Sequence, residues 1–507
     1  MSNSKINTGM VCNIDVGIIQ FSEPYLKSAD GFGTSSARTP LSPSSDFTTS
    51  VIKDVPDSIF RAVLLVHWDN ILGPRIHHVW TIDGSPNLSS SDLRCITGQV
   101  LSSEICRDVD SNFVDFKFFN LTHKEIIVPA FVFCAKGSYG LGIHSLAVVL
   151  SQSELQLYLE IHELLQRCFQ RLAYKIRVIL DTKVQNPSDS MDKIGLYLSD
   201  SIRFISALKK QSLAENVLLS STAFCPDHVL EFDFLSQCIA SHLMTFGRSF
   251  ITGETADRIN LVIHTLSLFN TVSERRCSLP INPQHPWPYH HDVYLQGFIK
   301  HVKDPIENCL PMTEILCSKY PTTVIDVSTR VVKQTLSYNE HIMHSFETLQ
   351  SELISIQNGQ FENVVVLDRH SCNTDPVWSL SALGLLRLRE LYPSSAYPDT
   401  LVQNFLSEMF QLPESCEVRM AFITQFHRLL YKKAECLIEQ IKVESDSARN
   451  PMRASQMKKI RQDLLLNAEG DFRIIVALAE KLKPGIYCFL LGDRRVDRTV
   501  QTNVEIL

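Results

Sequence analysis

Two histidine groups and one glycine run are the places where residue type and spacing could do chemistry. His290-His291-Asp292 and Glu340-His341-x-x-His344 carry metal-ligating types, the latter with both imidazoles at i,i+3 on one helix face. Neither has cysteine or carboxylate partners fixed by a motif, so no metal is expected at either. His162-Glu163 begins a string of the HExxH kind, but Gln166 stands where the second zinc ligand belongs. His162 therefore reads as a rim or hydrogen-bonded histidine. Gly137, Gly140 and Gly142 space as GxxGxG, with His144-Ser145 where a third glycine should fall. They stand at the entrance to a strand and do not open a helix, where free N–H groups would meet an anion. A plain turn is the reading. Neither GxxxxGK[ST] nor GxSxG occurs. No catalytic residue and no cofactor site is nominated. The basic pairs Arg275-Arg276, Lys432-Lys433, Lys458-Lys459 and Arg494-Arg495 read mostly as solvated helix faces.

Composition agrees with a protein that works through its surface. The 48 Lys and Arg against 55 Asp and Glu leave a net charge of −7. General nucleic-acid binding needs clustered excess cations and is set aside. The 19 glycines among 507 residues are about half the usual share, which discounts nucleotide loops and blade repeats. The 14 cysteines are scattered with no CxxC. With no basic-then-apolar leader and no apolar run of about 18 residues, the expectation is a reduced, cytosolic chain whose cysteines fill core. At about 150 residues per domain, the length suggests roughly three domains.

The elements follow from pattern. Eleven Ser/Thr between 28 and 50 read as an arm over 1–57, too polar to offset its ordering entropy. A short ordered piece near 16–21 is left open. Strands are expected over 60–68 and 75–82 with a turn at DNILGP between them. A helix over 90–106, capped by Ser90 or Ser91, comes next. Strands over 112–120, 125–135 and 139–150 follow, then a long helix opened by a Ser153/Gln156 capping box. Its stripe runs through Leu157, Ile161, Leu164, Leu165, Cys168, Phe169, Leu172, Ile176 and Ile179. The fold class is α+β, a mixed architecture whose first unit is an antiparallel five-stranded sheet backed by helices. Residues 183–225 read as a connector around one amphipathic piece, 194–208. A second unit mixes helices (232–246, 256–269) with strands (248–252, 293–299). It becomes mainly helical from 328 onward, with helices over 329–356, 400–411, 418–443 and 471–483. A short strand is expected over 486–491.

The run HWDNILGPRIHHVW (67–80) resembles the start of the folded region in the chromosome-nine open-reading-frame branch of the longin–DENN family. These are guanine nucleotide exchange factor-like proteins. Blocks at 241–278, 320–334 with 340–342, and 467–492 agree in the same order, with the shorter VDFKFF (114–119) among them. The arm before 58 lies outside the resemblance, and 355–400 matches weakly. The resemblance implies a longin domain over 58–182, the connector over 183–225, a central DENN part (α/β) over 226–350, a mainly helical downstream DENN part over 351–490, and a tail over 491–507.

It also implies a regulator of Rab- and Arf-type small GTPases acting with a second longin–DENN protein and a WD-repeat protein in endosomal trafficking and autophagy. Such a chain would be cytoplasmic and recruited to endosomes, autophagosomes or lysosomes through partners, with a nuclear fraction left open. The alternative is a non-catalytic scaffold subunit of a GTPase-activating complex whose arginine finger is on the partner. Signature residues on the matching blocks are Trp68, Asp69, Asn70, Gly73, Pro74, Arg75, Trp80, Glu469, Gly470 and Asp471. Asp69 and Asn70 are expected to set the turn and Trp68 and Trp80 to anchor core or interface. Arg75 is read as a strand-start arginine, not as a finger, and Asp471 as the cap of the last long helix.

Overall fold

The computed structural model describes residues 47–491 apart from 56, 103, 105–112, 138–139, 183–186, 214–216, 229, 284–286, 301–311, 336, 360–390, 394–396 and 448–453. The expectations for 1–46, for most of the weakly matching 355–400 and for 492–507, Arg494 and Arg495 included, lie outside the described residues.

The first unit is built on the apolar run of β2 (Phe60–Asp69), which pairs with β3 (Gly73–Ile82). Helix α1 (Ser90–Val100) follows, then β4 (Asp115–Leu121), β5 (Ile126–Gly137) and β6 (Gly140–Ser151). Both faces of this sheet are covered, so β2 alternates between two cores and not between core and water. Val63 and Leu65 face the core that contains α2 (Leu155–Asp181), while Ala62, Leu64 and Val66 face that of α1. The expected stripe of α2 is the buried one, with Tyr158 and Ala173 added and Leu157 and Cys168 at its rim.

The sheet has six strands where five were expected. The sixth is β1 (Thr48–Ile52), inside the stretch read as a disordered arm. It lies parallel to β3, from Thr48 opposite His78 to Ile52 opposite Ile82. Thr48 Oγ1 and Ser50 Oγ take the two ring nitrogens of His78 at 2.6 and 2.9 Å. Here the Ser/Thr run is β-branched enough to add a strand once a partner supplies its backbone bonds.

The connector also gives way to structure. Helix α3 (Pro187–Gln211) buries Ile194, Leu198, Ile202, Ile205 and Leu208 in the α2 core. A Cβ on its Gly195 would stand 3.2 Å from Trp80 Nε1. Cap positions shift as well. Ser89, one residue before the expected pair, forms a capping box with Asp92 on α1. No Ser153/Gln156 box exists: Glu154 is the cap residue of α2, and Gln156 Nε2 donates to Glu160 at 3.0 Å.

In the second unit α4 (Phe232–Met244) leads into β7 (Ser249–Gly253), α5 (Ala256–Ser267), α6 (Val272–Arg276), β8 (Leu295–Ile299) and α7 (Met312–Leu316). Strands β9 (Thr323–Asp326) and β10 (Val331–Gln334) come next, then α8 (Tyr338–Gln357) and β11 (Tyr392–Pro393). The sheet order is β11-β10-β9-β7-β8, with β7 parallel to both its neighbours. The helix expected from 329 starts later because 329–334 is the far side of a β9–β10 hairpin, turned at Arg330 with φ +56°.

The rest is helical: α9 (Leu401–Met409), α10 (Cys416–Ser447), α11 (Ala454–Asp463), α12 (Glu469–Leu482) and α13 (Ile486–Leu491). The last was expected as a strand. The Glu480 carboxylate instead accepts the N–H groups of Gly485 and Tyr487 at 3.0 and 2.8 Å, restarting a helix after the Pro484-Gly485 break. Cys134, Cys238, Cys277 and Cys317 are buried, and burial pushes the Cys277 thiol up to about 12. Among the described residues no helix is long and apolar enough to cross a membrane.

Candidate functional site

The β2–β3 turn is set by one carboxylate. Asp69 Oδ1 accepts the N–H groups of Leu72 and Ile71 at 2.9 and 2.8 Å, and those two bonds hold its carboxyl below the ordinary range. Gly73 closes the loop at φ +79°, a left-handed position that glycine adopts without strain. Asn70, expected to share the task, is exposed, and its side chain has no hydrogen bond to the described residues. Trp68 pairs with Pro74 and packs on the α1 core. Trp80, 1% exposed, sits in the α2 core with its ring centroid 4.4 Å from that of His78. The two tryptophans therefore anchor opposite faces. Arg75 lies on β3 opposite His67, recessed from the apex and partly buried. At the apex stand Ile71 and Leu72, 92% and 63% exposed.

The second signature folds into a clasp. Asp471 lies inside the first turn of α12 and is not its cap. Its carboxylate accepts from Thr400 N (2.8 Å), Thr400 Oγ1 (2.5 Å) and Leu401 N (2.9 Å), so it caps a different helix, α9. Asp399 Oδ1 accepts the next N–H groups of α9, Val402 at 3.1 Å and Gln403 at 3.3 Å. Burial, then the neighbouring Asp471 charge, raise the Asp399 carboxyl to about 6. Gly470 N–H donates to Pro398 O at 2.9 Å, and a Cβ there would stand 2.7 Å from that oxygen and 2.8 Å from Tyr397 O. Glu469 pairs with Arg461 and Arg473, both at 2.9 Å.

The histidines considered as ligands have other tasks. His341 shares bonds with Thr335 Oγ1 at 2.6 Å and Ser318 O at 3.1 Å, and burial lowers it to about 3. His290 stacks on Phe204 at 3.8 Å, and burial lowers it to about 4. Burial also drives His291 well below the usual imidazole range. Burial would raise Asp292, but Arg167 at 3.3 Å, with the two imidazoles, holds it low. His162 is exposed and bonded to Leu159 O at 2.9 Å. Among the described residues no three His, Cys, Asp or Glu are placed to hold a metal ion. Gly137 pairs with Gly140 across the β5–β6 hairpin, where no helix begins. The pair Arg275-Arg276 is not a solvated face: Arg275 donates to Asn270 O at 3.1 Å and Arg276 to Glu160 at 2.8 Å.

Two further features escaped the sequence. His67, His77 and His144 converge from three strands, their ring centroids 5.9 and 6.1 Å from that of His67. A crevice of about 260 Å³ lined by Gly253, Glu254, Thr255, Arg258, Val327 and Ser328 opens at the carboxyl ends of β7 and β9, where the strand order reverses. Such switch points form ligand crevices in open α/β sheets. Both depend on strand order, which no local pattern encodes.

The fold is a mixed α/β one, an N-terminal sheet unit followed by a second unit that becomes mainly helical, an order consistent with longin then DENN, and its distinctive residues shape turns, clasps and an apolar apex. The comparisons place it further. The C9orf72-like protein family model matches residues 96–341. The guanine nucleotide exchange factor C9orf72 of Homo sapiens is 30% identical over 454 residues, covering 85% of this chain and 91% of that protein. The guanine nucleotide exchange factor C9orf72 homolog of Mus musculus is 29% identical over 459 residues, 86% of this chain and 92% of that protein. The chain belongs to the C9orf72-like family.

Proposed function

We propose that this protein is a guanine nucleotide exchange factor-like regulator of Rab- and Arf-type small GTPases. It works in a complex with a second longin–DENN protein and a WD-repeat protein, in endosomal trafficking and the autophagy–lysosome route. It is cytoplasmic and reaches endosomal, autophagosomal or lysosomal membranes through its partners. The observation that carries the reading is 30% identity across 91% of a human exchange factor. An exchange factor needs only to bind the nucleotide-free GTPase better than the loaded one, by remodelling switch loops and the Mg²⁺ site. Surface shape and a few polar contacts suffice.

A second reading makes the chain the non-catalytic scaffold subunit of a GTPase-activating complex. The recessed, strand-bound Arg75 favours it over one in which this chain supplies a finger itself. Release of fluorescent GDP and single-turnover GTP hydrolysis, measured on a Rab and Arf panel with and without the partner proteins, separate the readings. Exchange predicts release accelerated at least tenfold. Activation predicts hydrolysis that responds only in the complex and stays within about tenfold on Arg75→Ala, whereas loss of a true finger costs ~10³–10⁵ in rate.

A further inference from the structure

Strand β1 is the least committed member of the first sheet. It pairs on one side only, with β3, and its other side ends the sheet. Thr48, Thr49 and Val51 are exposed and Ser50 is half-buried. Ile52 alone enters the α2 core, and Phe47, just before the strand, lies at the rim of the α1 core. Among the described residues the side chains of β1 make two hydrogen bonds, and both go to His78. At its carboxyl end Ile52 O accepts from Asp83 N at 3.0 Å, and Ser50 O from Thr81 Oγ1 at 3.3 Å. Asp54 then turns the chain at φ +60°, and Val55 and Ile59 are buried in the α2 core. A release of 47–52 therefore stops at Asp54 and leaves those two residues in place, a local opening and not an unfolding.

We propose that the outer edge of β3 is a strand-docking site closed by the chain's own β1, a strap that comes off as a unit and has His78 as its latch. Burial lowers the His78 imidazole, which is neutral at pH 7. A neutral imidazole offers one N–H and one lone pair, and a hydroxyl can serve either. The buried ring thus takes two hydroxyls at once, and Thr48 and Ser50 supply them from alternate positions on one face of the strand. Losing either hydroxyl strands a ring nitrogen for as long as β1 stays docked. Once the strap leaves, water serves both nitrogens, so the open state carries no orphaned group at the ring. The edge accordingly selects a segment running parallel to β3, with hydroxyls two residues apart and a branched aliphatic two further on. Main-chain bonds supply the affinity and these side chains the choice, as in strand addition generally. Residues 48–52 meet that rule, and their tether holds them at an effective concentration of about 1 mM.

Hydrogen–deuterium exchange on the full chain, with its partner proteins where it is prepared with them, reads the detachment directly. Alternate amides of 78–82 face β1 and β2. Those facing β1 should exchange together with the amides of β1, while those facing β2 stay protected with β5 and β6. Thr48→Val with Ser50→Ala should speed exchange of the first set about tenfold, the usual worth of two hydrogen bonds, and leave the second set unchanged. A wild-type β1 that exchanges as slowly as β2 overturns the proposal, and so does a double variant with an unaltered β1 rate. Docking is tested with Ile52→Asp, which keeps the chain's own strap off. A synthetic peptide of residues 47–53, offered at about 1 mM, the concentration the tether supplies, should bind this variant and not the wild type. Adding His78→Ala should abolish that binding. Protection of β2, β5 and β6 shows in each case that the sheet is folded. A folded Ile52→Asp protein that ignores the peptide, or binding that survives His78→Ala, overturns the docking site. Exchange of β1 that slows as protein concentration rises, with a dimer by light scattering, would give the edge to a second copy's β1 and overturn its assignment to the chain's own strap.

Discussion

Asp399 and Asp471 share one helix end with unequal consequences. Asp471 spends its carboxylate on three donors of the α9 start, while Asp399 is buried beside it and raised to about 6. A carboxyl whose folded value exceeds its unfolded value of about 3.8 binds more protons folded than unfolded between those two pH values. Its contribution is therefore most favourable at or below about pH 4 and declines as pH rises to about 6, above which it is flat. Asp399→Asn keeps an oxygen for Val402 and Gln403 and removes the repelling charge. It should stabilise the protein at pH 7.5 by about 1–2 kcal/mol, and the gain should vanish near pH 4. Calorimetric midpoints of the two proteins across that range check it. A gain that persists at pH 4 would show that charge repulsion is not its cause.

Elements were legible where a local pattern decides them, and partners were not. The apolar runs of β2, β5 and β6 and the α2 stripe announce themselves because each buries a continuous surface. β1 did not, because a strand of Thr, Thr, Ser, Val and Ile is specified by the open edge of β3. The apolar 486–491 looked like a strand because six residues cannot distinguish the two periods, and Glu480, six residues upstream of Ile486, decides it. Asp471 was legible as a cap but not as the cap of α9, 70 residues earlier. Gly470 explains why the clasp holds. Its missing Cβ lets α12 approach the carbonyls of Tyr397 and Pro398, which are backbone and cannot swing aside. Gly470→Ala should therefore cost about 1–3 kcal/mol, the usual range for overpacking, although alanine is the better helix former. Urea unfolding measures it. A neutral or stabilising result would mean the segment shifts freely.

At the scale of the whole molecule, the two units share one core. Cys277, Leu279, Val293 and Ile356 from the second pack in the same cluster as β2, α2 and α3 of the first. A polar seam runs alongside: Arg167 to Asp292 at 3.3 Å, Arg171 and Lys175 to Glu352 at 2.6 and 3.1 Å, and Arg276 to Glu160 at 2.8 Å. Asp292 is the buried anion of this seam. Removing one member of a buried pair strands its partner, at about 3–5 kcal/mol. Asp292→Ala should therefore lower the stability of the whole chain within a single calorimetric transition. Two separated transitions would show that the units melt independently. Acid should weaken the same seam. His290 and His291, lowered by burial, stay neutral when folded while the unfolded chain takes up protons below about pH 6.5. Stability from these histidines is thus complete above pH 6.5 and lost progressively as pH falls toward about 4. In that window Asp292 is still ionised, because the Arg167 guanidinium keeps its carboxyl well below the usual value. The double variant His290→Gln, His291→Gln should flatten the midpoint's fall between pH 6.5 and 4.5. An unchanged slope would assign the acid sensitivity to other buried histidines, such as His144 and His242, each lowered to about 3 by burial.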